Sequence, residues 1–451
     1  MDTQTKLGSL GLFDAKVPRY TSYPTAPHFN RAVGEADFIN WIRVIPEGAQ
    51  ISLYVHVPFC RRLCWFCACR TQGTQSDAPV LAYLETLKTE IAMLGRTLPA
   101  GVRLSRLHWG GGTPTLLSPA MMTDLAGAIR EIAPFTETTE FSVEIDPGEI
   151  DGPRLDALAA AGMNRASIGV QDFDPDIQKV IGRSQSFEIT RDAVQALRAR
   201  GIRSLNADIL YGLPFQDSAR IADSTRKLLE LEPDRVALYG YAHVPWMARR
   251  QTLIPAEALP APEARLHLFE TARRLFTWAG YREIGIDHFA KPGDGLSVAA
   301  EAGVLRRNFQ GYTDDQAVAL IGLGASSISR FPQGYAQNAS KTAEYQGRVR
   351  GGEFATGRGH AFRGEDVLRA RVIEELMCQF RADLDALEAE CGAAPGTLDA
   401  MAGAAVARFP GYLHATGRIL EIPHEGHALA RMIARCFDAY EMSAESHSLA
   451  I

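Results

Sequence analysis

The amino-acid sequence predicts an α/β protein built on a parallel sheet, either open and doubly wound or curled into a full or partial (β/α) barrel. From residue 51 to about residue 290, short β-branched or aromatic segments alternate with segments of helical periodicity. Nearly every one of these strand candidates also ends in polar or glycine residues. Polar groups at the carboxyl ends of many strands favour a barrel or partial barrel, because an open sheet binds its ligand at one switch point.

The predicted elements follow each other in βα order. The seven strand candidates are 51–59, 105–112, 140–147, 165–173, 204–214, 235–245 and 282–290. The helical patterns between them are 78–94, 118–132, 186–201 and 219–232. Connections of this length return each strand parallel to the one before, so we expect the helices to pack outside the sheet.

Two flanking regions differ from this pattern. Residues 1–48 include "VPRYTSYPTAPHF" (17–29), with three prolines and no periodicity, and are predicted to form an extended N-terminal arm that lies on a domain spanning 49–355. Residues 356–451 are predicted to form a mainly helical domain with a winged-helix-like end. Within it, 365–390 has the pattern of one amphipathic helix, and 411–440 that of a hairpin followed by a helix.

Composition and charge exclude some classes of function. The chain has 451 residues, a formal net charge of −6 and no basic run, so nucleic acid is not an expected main partner and the winged-helix-like end is expected to serve packing or as a lid. The sequence has neither a membrane-spanning apolar stretch nor a secretory signal, and a cytoplasmic location is expected.

The strongest chemical signal is a cysteine cluster, "YVHVPFCRRLCWFCACR" (54–70). Its spacing is Cys60-x3-Cys64-x2-Cys67-x-Cys69, whereas Cys378, Cys391 and Cys436 are scattered and are expected to be small buried apolar residues. Cytoplasmic thiols stay reduced, so the cluster indicates metal or redox chemistry. Zinc on a Cys64/Cys67 knuckle is one reading, but no second ligand pair follows. Three cysteines on one loop can instead hold a [4Fe-4S] cluster and leave its fourth iron open.

Single polar residues at the other strand ends carry less weight. "GGGT" (110–113) allows close approach of the backbone to a ligand. Glu144 and Asp146 can be read as caps of the helix that follows, and Arg183 as a solvated surface charge. His243 and His288 can serve as proton or hydrogen-bond partners, and a structural role is the alternative.

The cysteine spacing after the first strand resembles the radical S-adenosylmethionine (SAM) superfamily. Nearly the whole chain resembles one family within it, the oxygen-independent coproporphyrinogen III oxidases. The motifs that carry this resemblance are "PRYTSYPTA" (18–26), "YVHVPFC" (54–60), Cys69, "LHWGGGTPT" (107–115), "EIDP" (144–147), "GVQDF" (169–173), "DILYGLP" (208–214), "YAHVP" (241–245), "DHFA" (287–290), "RNFQGYT" (307–313), "YAQN" (335–338) and "CFDAY" (436–440). The fold implied is a partial (β/α) barrel of the radical SAM type.

The resemblance implies a cofactor set and a reaction. Cys60, Cys64 and Cys67 would hold one [4Fe-4S] cluster whose open iron chelates SAM, and the family binds two SAM molecules. Reductive cleavage of SAM gives a 5′-deoxyadenosyl radical, which abstracts hydrogen from two propionate side chains of coproporphyrinogen III in turn. Each substrate radical then loses CO2 and one electron to leave a vinyl group, and the second round gives protoporphyrinogen IX. The matching SAM-lining positions are Tyr54, Phe66, Gly111, Gly112, Thr113, Glu144, Gln171, Arg183, Asp208, Ala242 and Ile328.

Expectations for the substrate and for protein partners are less specific. A tetracarboxylate substrate needs cations, so Arg19, Arg307 or Lys291 is predicted to meet propionates, with Tyr20 and Tyr23 of the arm covering the site. Cys69 is predicted to be an active-site residue without cluster ligation. The resemblance also implies a monomer that takes electrons from reduced flavodoxin or ferredoxin.

This chain departs from the family pattern at a few positions. "CACR" places Ala68 and Arg70 around Cys69 where the family has glycine and asparagine, and Gly182 and 330–334 are also atypical. A haem-binding or haem-delivering relative is one rival, although such relatives lack the fourth cysteine and the "PRYTSYPTA" arm. The other rival is a non-catalytic metal-binding module, which leaves the polar strand ends unexplained.

Overall fold

The computed structural model describes residues 3–441 and residue 450. The chain begins with α1 (Thr3–Ser9), a 3-10 turn (Ala26–His28) and α2 (Glu35–Arg43). The predicted arm is therefore partly helical and not wholly extended. Its prolines confine extended backbone to the stretch between the two helices.

A series of βα units follows. These elements are β1 (Gln50–Val57), β2 (Phe59–Cys60), β3 (Gln72–Gly73), α3 (Ala78–Thr97), β4 (Arg103–Gly111), α4 (Pro119–Ile132), β5 (Phe135–Ile145), α5 (Gly152–Ala160), β6 (Arg165–Gln171), α6 (Pro175–Val180), α7 (Phe187–Ala199), β7 (Ser204–Tyr211), α8 (Ser218–Glu230), β8 (Arg235–Gly240) and α9 (Pro262–Trp278). Side-chain oxygens cap several of these helices; Ser118, Asp151 and Ser186, for example, each accept a bond from a backbone N–H in the first turn.

The second half of the barrel region is built from shorter strands. It contains β9 (Arg282–Ile284), β10 (His288–Ala290), α10 (Gly295–Glu301), β11 (Arg306–Asn308), β12 (Gly311–Thr313), β13 (Leu320–Leu323), β14 (Ile328–Phe331), β15 (Gly334–Asn338), α11 (Thr342–Arg350) and β16 (Thr356–Ala361). The predicted seventh strand, 282–290, is wrong as a single parallel strand. A turn at 285–287 splits it into β9 and β10, and β10 pairs antiparallel with β8.

Twelve strands form one sheet in the order β16-β15-β14-β13-β1-β4-β5-β6-β7-β8-β10-β9. The seven central strands from β13 to β8 are parallel, so their carboxyl ends share one edge. The two outermost strands, β16 and β9, do not pair with each other, so the described sheet is a partial barrel, as the sequence predicts.

Buried charges on the inner face show that the sheet is curved. Arg165 of β6 pairs with Glu140 of β5 at 2.8 Å, and Arg235 of β8 pairs with Asp294 at 2.6 Å. Arg106 of β4 reaches Asp314, which follows β12, at 2.8 Å. Burial would raise the pKa of Glu140, but Arg165 and Arg106 hold it at about 2. Paired charges fill the amino-terminal end of the lumen and leave the carboxyl end for ligands.

The C-terminal region consists of α12 (Asp366–Cys378), β17 (Arg381–Asp383), α13 (Leu384–Glu390), α14 (Asp399–Arg408), β18 (His414–Thr416), β19 (Ile419–Glu421) and α15 (Ala430–Ala434). The prediction of one helix over 365–390 is wrong, because the backbone of Phe380 turns to φ +54° and β17 follows it. The hairpin expected in 411–440 is β18–β19, and 3-10 turns flank α15. In the described part of the chain, no helix has the length and apolar character needed to cross a membrane.

Two of the four buried apolar clusters in the described chain account for most of the core. One surrounds the sheet and its outer helices and includes Phe38 and Trp41 of the arm. The other joins the C-terminal region to Leu12, Tyr20 and Tyr23. The first part of the arm therefore packs on the C-terminal region, whereas the sequence predicts contact with the barrel.

Candidate active site

The cysteine loop is closed by backbone pairing at the carboxyl end of β1. The short strands β2 and β3 pair in parallel, which places Cys60 opposite Gly73. The Gln72 N–H donates to the Pro58 carbonyl at 2.8 Å, and the Thr74 N–H donates to that of Cys60 at 3.0 Å. All four clustered cysteines thus lie on or within one short closed loop at the shared strand edge.

Each of the three predicted ligand thiols has a hydrogen-bond donor beside it. The Thr113 hydroxyl faces Cys60, Arg183 Nη1 lies 3.5 Å from Cys64 Sγ, and the Cys69 N–H lies 3.4 Å from Cys67 Sγ. Burial raises the pKa of Cys60 to about 11 and also raises that of Cys64. A hydrogen bond from the Cys69 thiol holds the pKa of Cys67 at about 6 and raises that of Cys69. These donors can stabilise the thiolates that metal ligation requires.

The three thiols are not gathered as they would be around a single metal ion. In the described chain, the group of three metal-ligating side chains with donor atoms within 4.8 Å of one another is Glu283, His424 and His427, and no cysteine belongs to such a group. A tetrahedral zinc site would bring three sulfurs within that distance, because Zn–S bonds are about 2.3 Å long. The thiol chemistry of Cys60, Cys64 and Cys67 fits an iron–sulfur cluster, and their sulfurs are not gathered as a zinc site requires.

The glycine segment after β4 runs directly against the end of β1. The Gly112 and Thr113 N–H groups donate to the Val57 and Phe59 carbonyls at 2.8 Å each. A Cβ on Gly112 would lie 2.5 Å from one of these carbonyl oxygens, so no larger residue fits there. This close approach puts Gly111, Gly112 and Thr113 beside Cys60, as a SAM-binding role requires.

Tyr54 and Glu144, two further predicted SAM-lining residues, both contact His108 inside the barrel. Sequence reasoning missed this histidine and its neighbour His56. Tyr54 stacks on His108 with ring centroids 5.7 Å apart, and its hydroxyl lies 2.9 Å from His56 Nδ1. Glu144 accepts from the Gly111 N–H at 3.0 Å and lies 3.4 Å from His108 Nε2. Glu144 is therefore a lumen residue and not a helix cap. Tyr54 and His56 are two residues apart on one strand, and this spacing alone predicts that their side chains lie on the same face of the sheet.

Asp208 lies deeper on the same wall. Burial raises the pKa of its carboxyl to about 7, and Asn206 Nδ2 donates to it at 2.9 Å. Both line a lumen cavity of about 130 Å³, together with Glu144. Asp208 therefore titrates near neutral pH while it faces the space that a ligand would occupy.

Arg183 is buried at the site and is not a surface charge. Its Nη2 donates to the Gly169 carbonyl at 2.8 Å, and Asp146 lies 3.5 Å from Nη1. Burial alone would lower its pKa, but Asp146 and Cys64 raise it. Its Nε is buried without a hydrogen-bond partner among the described residues, so it can still bond to a ligand. Gln171 ends β6 with φ +69°. Its side-chain amide and the Arg183 guanidinium both lie next to Gly169.

The 3-10 turn Arg249–Leu253 also holds the cysteine loop in place, through hydrogen bonds of Gln251. Sequence reasoning missed this turn. Gln251 Nε2 donates to the Phe66 carbonyl at 2.7 Å and to the Ala242 carbonyl at 3.1 Å. These two predicted SAM-lining residues are thus joined by one buried amide. Ile328 begins β14, and its backbone packs against Gly322 of β13. Gly322 is the residue paired with Tyr54 of β1, so Ile328 lies near Tyr54.

Of the three cations predicted to meet the substrate, only Arg19 lines a described cavity at the carboxyl edge of the sheet. Arg19 donates to the Gly240 carbonyl at 2.9 Å and lines a cavity of about 680 Å³ at the end of β8. Arg307 is buried, pairs with Asp287 at 3.5 Å and stacks over Tyr312. Lys291 lies at the amino-terminal end of β8, where its N–H donates to Asp234 O, so the structure does not bring it to the site.

The two arm tyrosines face the C-terminal region. The Tyr20 hydroxyl donates to Asp438 Oδ2 at 3.0 Å, and that of Tyr23 accepts from the Ala439 N–H at 2.9 Å. Both are buried, and neither lines the described cavities. Of the two histidines, His243 lies 3.0 Å from the Tyr241 hydroxyl and lines the large cavity, and His288 is held at 2.6 Å by Asp287.

A parallel sheet with a three-cysteine loop at its carboxyl edge defines a radical SAM protein, and residues 54–228 match the model of the Radical SAM superfamily. The chain is 64% identical, over all 451 residues and the full length of both chains, to an oxygen-independent coproporphyrinogen III oxidase of Paracoccus denitrificans. It is 39% identical to the Escherichia coli K12 relative of the same name, over 94% of this chain and 93% of the other. The chain belongs to the oxygen-independent coproporphyrinogen III oxidases.

A solved structure agrees with this assignment. Coproporphyrinogen III oxidase (HemN) from Escherichia coli, described as a radical SAM enzyme, superposes with a TM-score of 0.90 and 37% identity. The match covers 95% of this chain and 100% of that one.

Proposed function

We propose that the protein oxidatively decarboxylates two propionate side chains of coproporphyrinogen III to vinyl groups, giving protoporphyrinogen IX in oxygen-independent haem biosynthesis. The observation that carries the proposal is the closed loop with three thiols, each beside a hydrogen-bond donor, next to Gly111–Thr113 and Glu144. When bound, the [4Fe-4S] cluster and SAM supply a 5′-deoxyadenosyl radical.

The chain's own residues would bind and orient the cofactors. Cys60, Cys64 and Cys67 hold the cluster, and the backbone of Gly111, Gly112 and Thr113 lies close to SAM. Glu144 and Asp208 accept hydrogen bonds from ammonium or ribose groups and attract the sulfonium charge, while Arg183 pairs with a carboxylate. Tyr54, Phe66, Gln171, Ala242 and Ile328 complete the walls for two SAM molecules.

We assign the substrate to the cavity of about 680 Å³ at the end of β8. Its wall includes the apolar side chains of Tyr241, Leu259 and Phe269 together with Arg19, which suits a flat macrocycle that carries carboxylates. Arg307 does not line this cavity. We therefore give it a positioning role, because it holds Asp287, which does line it.

Cys69 is proposed to act at the site without ligating the cluster. Its N–H donates to Cys67 Sγ, and its exposed thiol is close enough to Glu144 for that charge to raise its pKa further, after the larger effect of Cys67. Tyr20 acts indirectly, by anchoring the arm that carries Arg19. We place the protein in the cytoplasm as a monomer served by a reduced flavodoxin or ferredoxin, since its clustered thiols must stay reduced to bind iron.

The test is anaerobic reconstitution with iron and sulfide, followed by dithionite, SAM and coproporphyrinogen III. We expect 5′-deoxyadenosine, CO2 and protoporphyrinogen from the wild-type protein, and none of the three from Cys64→Ala. Cys391→Ala, outside the cysteine loop, is the matched control and should retain activity.

The other outcomes distinguish the rivals. Bound iron without deoxyadenosine would support a non-catalytic metal-binding module. Haem binding without porphyrinogen turnover would support a haem-delivering relative. Deoxyadenosine without CO2 would retain the radical chemistry and reject the substrate.

A further inference from the structure

A second concave surface adjoins the cysteine loop. It encloses about 540 Å³ and contains four cationic side chains, Arg70, Arg249, Arg250 and Lys341. We call these four residues, with Met247 between them, the basic face. Arg70 is the residue at which this chain departs from the asparagine of the family pattern.

The charge of the basic face is uncompensated. No Asp or Glu is among the described residues that line the concavity. Within the described chain, Arg70, Arg249 and Lys341 are exposed, and none of them forms an ion pair. The pKa of Arg358 is lowered by burial and then by the charge of Arg70, so a further cation lies close to the basic face. In a chain of net charge −6, this local excess of cations can steer an acidic partner to one place.

The basic face is connected directly to the loop that carries the cluster ligands. Arg250 Nη2 donates to the Cys69 carbonyl at 3.1 Å and to the Thr71 hydroxyl at 2.9 Å. Cys69 itself lines the concavity, two residues after Cys67. A partner bound here would therefore lie next to the iron–sulfur centre without entering the lumen.

The face also has the apolar centre and cationic rim of a protein-binding surface. Met247 is 61% exposed, and the amino-terminal turn of α11 (Thr342–Arg350) forms the opposite wall. Exposed methionine is adaptable in protein contacts, and a helix amino terminus adds positive potential. A small substrate carboxylate would leave Met247 in water, whereas a protein would cover it.

We propose that the basic face is the docking surface for an acidic one-electron carrier protein, of the flavodoxin or ferredoxin kind. The proposal rests on the proposed function, because it assumes an iron–sulfur centre on this loop. In the transfer step the carrier is oxidised by one electron and the centre is reduced by one, with no bond made or broken. Arg70, Arg249 and Lys341 pair with carboxylates at the carrier's rim.

The test compares a protein reductant with a small one. The variant Arg70→Glu/Arg249→Glu/Lys341→Glu reverses three charges on the basic face. The matched control, Arg43→Glu/Arg203→Glu/Arg226→Glu, makes the same change in net charge at exposed arginines that also lack ion pairs in the described chain and do not line the concavity. Both are reduced with dithionite and, separately, with a reduced bacterial flavodoxin, and binding of oxidised flavodoxin is measured directly.

We expect the variant at the basic face to bind oxidised flavodoxin at least tenfold more weakly than the wild-type protein at low salt. Reduction by flavodoxin should slow by a similar factor and lose most of its salt dependence. Dithionite-driven product formation should stay within about twofold of wild type. The control should resemble the wild-type protein throughout.

Equal flavodoxin binding by the two triple variants would overturn the proposal. A raised KM for coproporphyrinogen III with dithionite as reductant would also overturn it and assign the face to substrate carboxylates. Absence of product from the wild-type protein with dithionite would instead reject the proposed function, while the direct binding comparison would still test the docking surface.

Discussion

Burial changes the pKa of the Asp208 carboxyl group and so decides at which pH it is charged. It is enclosed in the lumen with one amide donor, Asn206, so its ionised form is poorly solvated and its pKa rises to about 7. If it accepts hydrogen bonds from SAM as proposed, its ionised form is the one that binds.

The first prediction follows from this shift. Because the ionised carboxylate exists above the raised pKa, the affinity of the reconstituted protein for SAM should rise with pH, by up to about tenfold per unit between pH 6 and 7, and then level off. Asp208→Asn should bind SAM more weakly and lose that pH dependence. Equilibrium binding of SAM over pH 5.5–8.5, about that pKa, checks it, and an unchanged slope in the variant would count against the role.

Gln251 shows how one buried side chain positions two parts of the site. Its amide nitrogen donates to Phe66 and Ala242, and its oxygen accepts from the Val244 N–H at 2.6 Å. The side chain is 1% exposed, so water cannot replace these bonds without rearrangement.

The second prediction concerns Gln251→Ala. It should lower the free energy of unfolding by about 2–3 kcal/mol, because it leaves three partly buried backbone groups without their partner. It should also reduce the iron bound per chain after reconstitution, since the cysteine loop loses a clamp. Gln316→Ala is the control, because exposed Gln316 makes a comparable bond to the Val304 carbonyl. Equal iron content in the two variants would contradict the clamp.

At the scale of elements, the turn between α6 and α7 supports the cysteine loop. The Trp65 N–H donates to the Ile181 carbonyl at 2.9 Å, and the Trp65 ring lies over Gly182. Gly182 has φ +67°, and a Cβ there would lie 2.9 Å from the ring atoms. The atypical glycine is therefore explained by a contact with the cysteine loop, which sequence reasoning could not see.

The third prediction separates these two effects. Gly182→Ala should cost about 1–3 kcal/mol from the positive φ and should also displace Trp65. Gly201→Ala has φ +80° and nothing within 4 Å of the added Cβ, so it should cost the backbone strain alone. Urea unfolding and tryptophan fluorescence compare the two. Identical costs, with no change in fluorescence in Gly182→Ala, would contradict the contact.

At the scale of the whole molecule, the arm and the C-terminal region form one unit. Tyr20 and Tyr23 bond to Asp438 and Ala439, and the buried Arg431 Nε donates to the Pro18 carbonyl at 3.0 Å. These contacts hold Arg19 at the wall of the large cavity, although Arg19 lies far along the chain from the C-terminal residues that fix it.

The fourth prediction tests this anchoring. Tyr20→Phe leaves the buried Asp438 carboxylate without one donor and should lower the free energy of unfolding by about 1–2 kcal/mol. Cleavage of the arm in limited proteolysis should also become faster. Tyr412→Phe, in the same apolar core with no hydrogen bond to its hydroxyl in the described chain, should change neither. Unchanged proteolysis of Tyr20→Phe would show that the Tyr20–Asp438 bond does not anchor the arm.

Periodicity and motif spacing in the sequence determined the α/β class, the six parallel strands in chain order from β1 to β8, and the cysteine loop at their common edge. These features depend on neighbours in the chain, which a local pattern records. The split of 282–290 into β9 and β10 and the break at Phe380 were not predicted, because pairing with β8 and β19 decided them. Only the tertiary structure decided that Glu144 and Arg183 face the lumen and that Gln251 and Arg250 clamp the cysteine loop. It also decided that three cations without ion pairs in the described chain gather beside the cysteine loop, because residues distant in sequence meet only through packing and buried hydrogen bonds.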